Sequence, residues 1–69
     1  MSVFSQRLLE LRQASQLSQS ATAKALEIGN RTYQYYESGE REPTLSILVR
    51  MADLYHVSLD YLAGRTDTP

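Results

Sequence analysis

Apolar side chains in this sequence recur at helical spacing, and no stretch alternates for the length of a strand. Phe4, Leu8 and Leu11 fall at i, i+4 and i+7, which places them on one face of a helix and predicts an all-α chain. With 69 residues there is room for one domain with a thin core. Cysteine is absent, so disulfides, thiolate metal sites and thiol nucleophiles are all excluded. The single histidine, His56, cannot assemble an ordinary zinc cluster, and no metal or cofactor is expected. A content of 42% hydrophobic and 22% charged residues belongs to a folding chain rather than a disordered one. Apolar runs extend for only a few residues, and the N-terminus lacks the layout of a signal peptide. The expectation is therefore a soluble cytoplasmic protein with no membrane contact. The net charge of -1 does not announce a nucleic-acid binder, so any such function must rest on local residues.

Cap chemistry divides the chain into five short helices, because Ser, Thr, Asn or Gly precedes each apolar segment and can accept its orphan N–H groups. The first helix is expected from about Val3 to Ser15, and Ser18 caps a second from about Gln19 to Leu26. Glu27, Ile28 and Gly29 form a turn. Either Asn30 or Gly29 then opens a third helix ending near Ser38, where Gly39 can adopt the left-handed closing conformation. Pro43 and Thr44 start the fourth, which reaches about Tyr55 and closes at His56. Ser58 caps a short fifth helix stopped by Gly64. Residues 1–64 thus form the domain, and residues 65–69 read as a flexible tail.

Two helices of about eight residues joined by a three-residue turn, with small Ala23 where they would cross, have the layout of a helix-turn-helix. At about 100° per residue, Asn30, Arg31, Gln34, Tyr35 and Ser38 of the third helix share one arc, while Tyr33 and Tyr36 lie roughly opposite. One face is polar and the other is buriable.

These features resemble the phage Cro and repressor type of helix-turn-helix regulators, also called xenobiotic-response-element-like regulators. The residues that carry the resemblance are Leu17-Ser18-Gln19, Ala23, Leu26, Ile28, Thr32, the run from Tyr36 to Pro43, then Leu48, Ala52 and the run from Val57 to Leu62. The match extends from about Phe4 to Gly64. It implies a compact five-helix, lambda-repressor-like DNA-binding domain and a sequence-specific transcription regulator, a repressor by preference. Asn30, Arg31, Gln34 and Tyr35 match positions that face the major groove in that family, where Asn and Gln suit adenine and Arg suits guanine. Gln19 matches a glutamine that anchors to phosphate beside the positive end of its helix. Ser18, Ser38, Arg41 and Arg12 complete the expected phosphate contacts. Arg12 and Glu37 match a family pair that ties the first helix to the third, which makes Arg12 structural first.

The sequence departs from the family at several points. Thr22 stands where a leucine is usual, and Tyr33 replaces an isoleucine or valine. Glu27 replaces the turn glycine, and Gly29 a Ser or Thr cap. Glu40 and Glu42 flank Arg41 where many relatives are basic, which predicts weaker DNA binding.

Helix 4 carries apolar residues over about two-thirds of its circumference, leaving only Ser46, Arg50 and Asp53 as a polar stripe. Either it is the central buried helix, or part of its surplus, drawn from Ile47, Met51 and Leu54, joins Leu59 and Tyr61 in a homodimer patch. A dimer on a near-palindromic operator in double-stranded DNA is expected, since one module with so few basic groups gains from avidity. Tyr35 can meet DNA or a partner protein. A protein-binding module on the same fold, such as an antirepressor or regulatory subunit, is therefore the competing function. An enzyme is not expected, because nucleophile, metal cluster and phosphate loop are all lacking. The expected place of action is the bacterial cytoplasm, at the nucleoid.

Overall fold

A computed structural model of the chain describes residues 2–69. Five helices follow in order: α1 (Val3–Ala14), α2 (Gln19–Ala25), α3 (Asn30–Ser38), α4 (Leu45–Tyr55) and α5 (Leu59–Ala63). The all-α architecture and the number of helices agree with the periodicity, and no described helix is long and apolar enough to cross a membrane. Local hydrogen bonding sets most of the boundaries. The side chains of Ser18, Thr44 and Ser58 accept from the backbone N–H groups of Ala21, Ile47 and Tyr61. Ser2 and Ser5 form a reciprocal capping box at the start of α1, which satisfies the polar atoms of fully buried Ser5. Gly29, not Asn30, is the cap of α3, so the Asn30 side chain is not consumed by the helix terminus.

Left-handed residues close the other ends. Gly39 and Gly64 take φ of 84° and 83°, and His56 takes 55°. Glu27, in the turn between α2 and α3, is held at φ 60°, the left-handed conformation that glycine adopts most readily.

The core gathers Leu8, Leu26, Tyr33, Tyr36, Met51 and Leu62 around small Ala23 and Ala52. Helix α1 packs against both α3 and α5, while α2 and α3 pack on each other. Thr22 and Tyr33 are both enclosed. Thr22 is fully buried and returns its hydroxyl to the Ser18 carbonyl at 2.9 Å, so only its methyl serves the core. Tyr33, also fully buried, is the largest side chain enclosed among the described residues.

Two expectations need correction. Met51 is fully buried, so it cannot belong to a dimer patch. Its position on α4 lies at the centre of the buried face, flanked by half-buried Leu48, Leu54 and Tyr55. Ile47 and Leu54 pack at the margin of the core, and half-buried Tyr61 carries the Arg7 guanidinium 4.2 Å from its ring centroid. Of the five patch residues only Leu59 is well exposed, and the apolar surface of α4 is instead Leu45 and Val49. The second correction concerns residues 65–69. Arg7 donates to the carbonyls of Tyr61 and Thr66 and to the Asp67 carboxylate, and the Ser58 N–H donates to the Pro69 carbonyl at 3.1 Å. These bonds fold the tail back onto the bundle.

Candidate nucleic-acid interface

The helical arc of α3 becomes a surface because Tyr33, Tyr36 and Glu37 turn inward. Asn30, Arg31, Gln34 and Ser38 are exposed along the opposite side, with Tyr35 half-buried at its edge. Gln19, at the first position of α2, lies beside this row. Together Gln19, Arg31, Gln34, Tyr35, Ser38, Glu37 and Glu40 line an open concavity of about 620 Å³. The structure thus brings three of the four nominated groove residues, Arg31, Gln34 and Tyr35, and two of the nominated phosphate residues, Gln19 and Ser38, onto one continuous surface, with Asn30 exposed at the start of the same helix.

Behind it sits a buried polar junction. Glu37 is only 6% exposed, and its carboxylate accepts from Arg12 Nε at 2.7 Å, Arg12 Nη2 at 3.0 Å and Gln19 Nε2 at 3.1 Å. Arg12 also donates through Nη1 to the Leu17 carbonyl at 2.9 Å, in the loop before α2. One fork therefore ties α1, the α1–α2 loop and α3 together, and the Arg12 guanidinium is committed inside the protein. Burial on its own would raise the Glu37 pKa, but the hydrogen bond from Arg12, the neighbouring Tyr33 phenol and the Gln19 amide outweigh it and hold the group below its ordinary value. The bond to Glu37 in turn raises the Arg12 pKa. Burial pushes the phenols of Tyr33 and Tyr55 up, so both are neutral at physiological pH. Among the described residues neither hydroxyl closes a hydrogen bond, although the Tyr33 oxygen lies against the Glu37 carboxylate.

Gln19 keeps one amide N–H beyond the one it gives to Glu37. The Ser18 hydroxyl caps α2 as an acceptor and retains its own proton for donation. Ser38 donates to the Tyr35 carbonyl at 3.1 Å and is also within 3.3 Å of the Glu40 carboxylate. Arg41 lies over the Tyr35 ring. Sequence reasoning missed two features of this region. Arg50 of α4 donates to the Leu26 carbonyl at 3.1 Å and so braces the end of α2, and Arg31, Tyr35 and Arg41 gather into one cluster. The i, i+4 spacing of Arg31 and Tyr35 is a readable signal for the first of those contacts.

The family profile described as Helix-turn-helix matches residues 8–62, which span α2, α3 and α4, the second half of α1 and most of α5. The chain belongs to the Cro/C1-type helix-turn-helix family. Its helix-turn-helix is α2 and α3. Among similar proteins, YobD of Bacillus subtilis (strain 168), an uncharacterized HTH-type transcriptional regulator, is 40% identical over 67 residues, covering 97% of this chain and 60% of that protein. The cryptic phage CTXphi transcriptional repressor RstR of Vibrio cholerae serotype O1 is 40% identical over 63 residues, covering 91% of this chain and 56% of the repressor. A transcriptional regulator from Listeria innocua, known from its crystal structure, superimposes with a TM-score of 0.84 at 36% identity, covering 88% of this chain and 57% of that one. The helix-turn-helix chain therefore spans little more than half the length of these relatives.

Proposed function

We propose that the protein is a sequence-specific double-stranded DNA-binding transcription regulator, acting as a repressor, that reads the major groove with α3. The observation that carries this reading is the row of Asn30, Arg31, Gln34 and Tyr35 along the outward side of α3, beside Gln19 of α2. Amides and a guanidinium on one helix face supply the donor and acceptor pairs that distinguish adenine and guanine edges. Gln19, Ser18, Ser38 and Arg41 are the phosphate contacts, while Arg12 is assigned to the interior pair with Glu37. The repressor assignment draws on the likeness to RstR.

We infer further that the protein binds as a homodimer to a near-palindromic site, its two α3 helices entering successive major grooves about 34 Å apart. Exposed Leu45, Val49 and Leu59 supply apolar surface for such pairing, and a chain of net charge -1 has few cations to hold DNA alone. The protein has no catalytic step in this role.

Selection from random duplex followed by fluorescence anisotropy tests the reading. The expected result is a near-palindromic site bound by two copies, with affinity that falls as salt rises. Arg31→Ala and Gln34→Ala should each cost about 1–3 kcal/mol on that site and relax preference at one base pair, whereas Gln19→Ala should weaken all sequences alike. If the folded protein fails to bind any duplex at low salt, the reading is wrong, and the surface is one for a protein partner.

A further inference from the structure

Two arginines flank one tyrosine on the outward side of the helix-turn-helix, and the contacts among them are specific. Arg31 Nε donates to the Tyr35 hydroxyl at 2.8 Å, with its guanidinium carbon 5.5 Å from the ring centroid. The Arg41 guanidinium carbon lies 4.3 Å from the same centroid. Arg41 arrives there because Gly39, at φ 84°, turns the chain so that the N–H groups of Glu40 and Arg41 both close on the Tyr35 carbonyl, at 3.0 and 3.3 Å. Glu40 is drawn to Ser38 instead of to either arginine. Among the described residues the salt bridges engage Arg7, Arg12 and Arg65, which leaves the charges of Arg31 and Arg41 uncompensated.

A guanidinium carries five N–H donors, and here the Nε–H of Arg31 is the one used. Its two terminal nitrogens remain uncommitted, and they form the planar fork that matches N7 and O6 of guanine. An exposed arginine loses side-chain freedom on docking, at a cost to affinity for the correct base. In this protein the hydroxyl of Tyr35 already restrains Arg31, and Arg41 restrains the Tyr35 ring through a cation–π contact.

We propose that Arg31, Tyr35 and Arg41 form a preorganised guanine-reading clamp, in which Arg31 meets the base, Tyr35 is its positioning residue and Arg41 holds the ring. This rests on the reading of α3 as the groove-facing helix. Each operator half-site therefore carries a guanine opposite Arg31. The Tyr35 hydroxyl governs discrimination at that base pair more than overall affinity, and Arg41 adds to that discrimination beside its phosphate contact.

The test combines site selection with competition anisotropy on single-base variants of the selected site, for the full chain and for Arg31→Ala, Tyr35→Phe and Arg41→Lys. The Arg31-dependent position should be guanine. Tyr35→Phe keeps the ring and loses the hydroxyl bond, so guanine preference at that position, read as the ratio of affinities for guanine and for the other bases, should drop about three- to tenfold. Arg41→Lys keeps the charge and loses the stacked plane, so it should shift preference in the same direction with an unchanged salt dependence. Circular dichroism melts check that each variant is folded. A folded Tyr35→Phe that retains full guanine preference would overturn the clamp, as would an Arg31-dependent base other than guanine. An Arg41→Lys variant that weakens every sequence equally would also overturn it, since that is the behaviour of a phosphate contact alone. Those outcomes leave α3 as the reading helix, whereas a chain that binds no duplex at all removes the function on which the clamp rests.

Discussion

Replacing Glu37 by glutamine isolates the charge at the junction behind the interface. The side chain keeps its shape and one acceptor oxygen, but the Arg12 guanidinium, whose side chain is 16% exposed, loses its counter-ion. Breaking a buried ion pair from one side costs about 3–5 kcal/mol when the surviving charge is wholly enclosed. Arg12 retains a little solvent and its bond to the Leu17 carbonyl at 2.9 Å, and the glutamine oxygen still accepts, so the expected cost is lower, about 2–3 kcal/mol. Against a total stability of roughly 3–10 kcal/mol for a chain of this length, that is a large share. At about 4–8 °C per kcal/mol for so small a domain, Tm should fall by roughly 10–20 °C at neutral pH.

The pH dependence supplies a second readout. Glu37 is held below its ordinary value of 4.5 in the folded state, so the unfolded chain binds its proton first as pH falls. The stability it contributes is present above about pH 4.5 and is lost as pH drops through the lower folded-state value. Thermal melts of the protein and of Glu37→Gln, followed by circular dichroism from neutral pH to pH 3, should therefore converge at the acid end. A neutral-pH shift below about 4 °C, the worth of a surface pair, would refute the role of Arg12 and Glu37 as the tie between helices.

Other substitutions test the backbone and the core. Glu27→Gly removes a side chain held at φ 60° and should raise stability by roughly 0.5 kcal/mol, since the relief of left-handed strain slightly exceeds the added chain entropy; an unchanged or lower urea midpoint would contradict that. Gly64→Ala should cost about 1–2 kcal/mol, because φ is 83° there and a Cβ would meet Val3 Cγ1 at 2.9 Å; a melt identical to that of the original chain would count against the contact. Met51→Ala should cost about 2–5 kcal/mol whatever the oligomeric state, whereas Leu59→Lys should leave the fold intact and weaken cooperative binding of the second copy; sedimentation of the complexes separates the two effects. A Leu59→Lys variant that still assembles two copies per site with full cooperativity would move the pairing surface away from α5.

How far the sequence was legible depends on the range of the interaction. Ser18, Thr44 and Ser58 mark helix starts because a cap is settled within three residues, and Gly39 and Gly64 mark ends for the same reason. The outward row on α3 could be read from periodicity, since Tyr33 and Tyr36 leave Arg31 and Gln34 only one side to occupy. Met51 failed because α4 is apolar over most of its circumference, and the buried portion is decided by tertiary packing, including where α5 comes to lie. Residues 65–69 gave no local sign of order, as the groups that hold them are the Arg7 fork and the Ser58 N–H, far away in sequence or on another helix. The Arg31–Tyr35 contact is local, but the approach of Arg41 depends on how the Gly39 turn redirects the chain.

The polar junction explains how so thin a core can hold two short helices at a defined angle. Apolar burial is non-directional, and α2 contributes only Ala23, Leu26 and the Thr22 methyl to the core, which leaves its orientation against α3 weakly specified. Directional bonds supply what is missing: Gln19 to Glu37 at one end of α2, Arg50 to the Leu26 carbonyl at the other, and Arg12 to both Glu37 and the Leu17 carbonyl across the preceding loop. Because Glu37 lies on the same helix as Arg31 and Gln34, about one turn beyond Gln34, the bond that orients α2 also sets the distance between Gln19 and the reading row. Breaking the Glu37 fork from the Arg12 side should therefore blur phosphate anchoring and base reading together, even in a variant that remains folded, whereas Gln19→Ala leaves that fork in place and weakens all sequences alike.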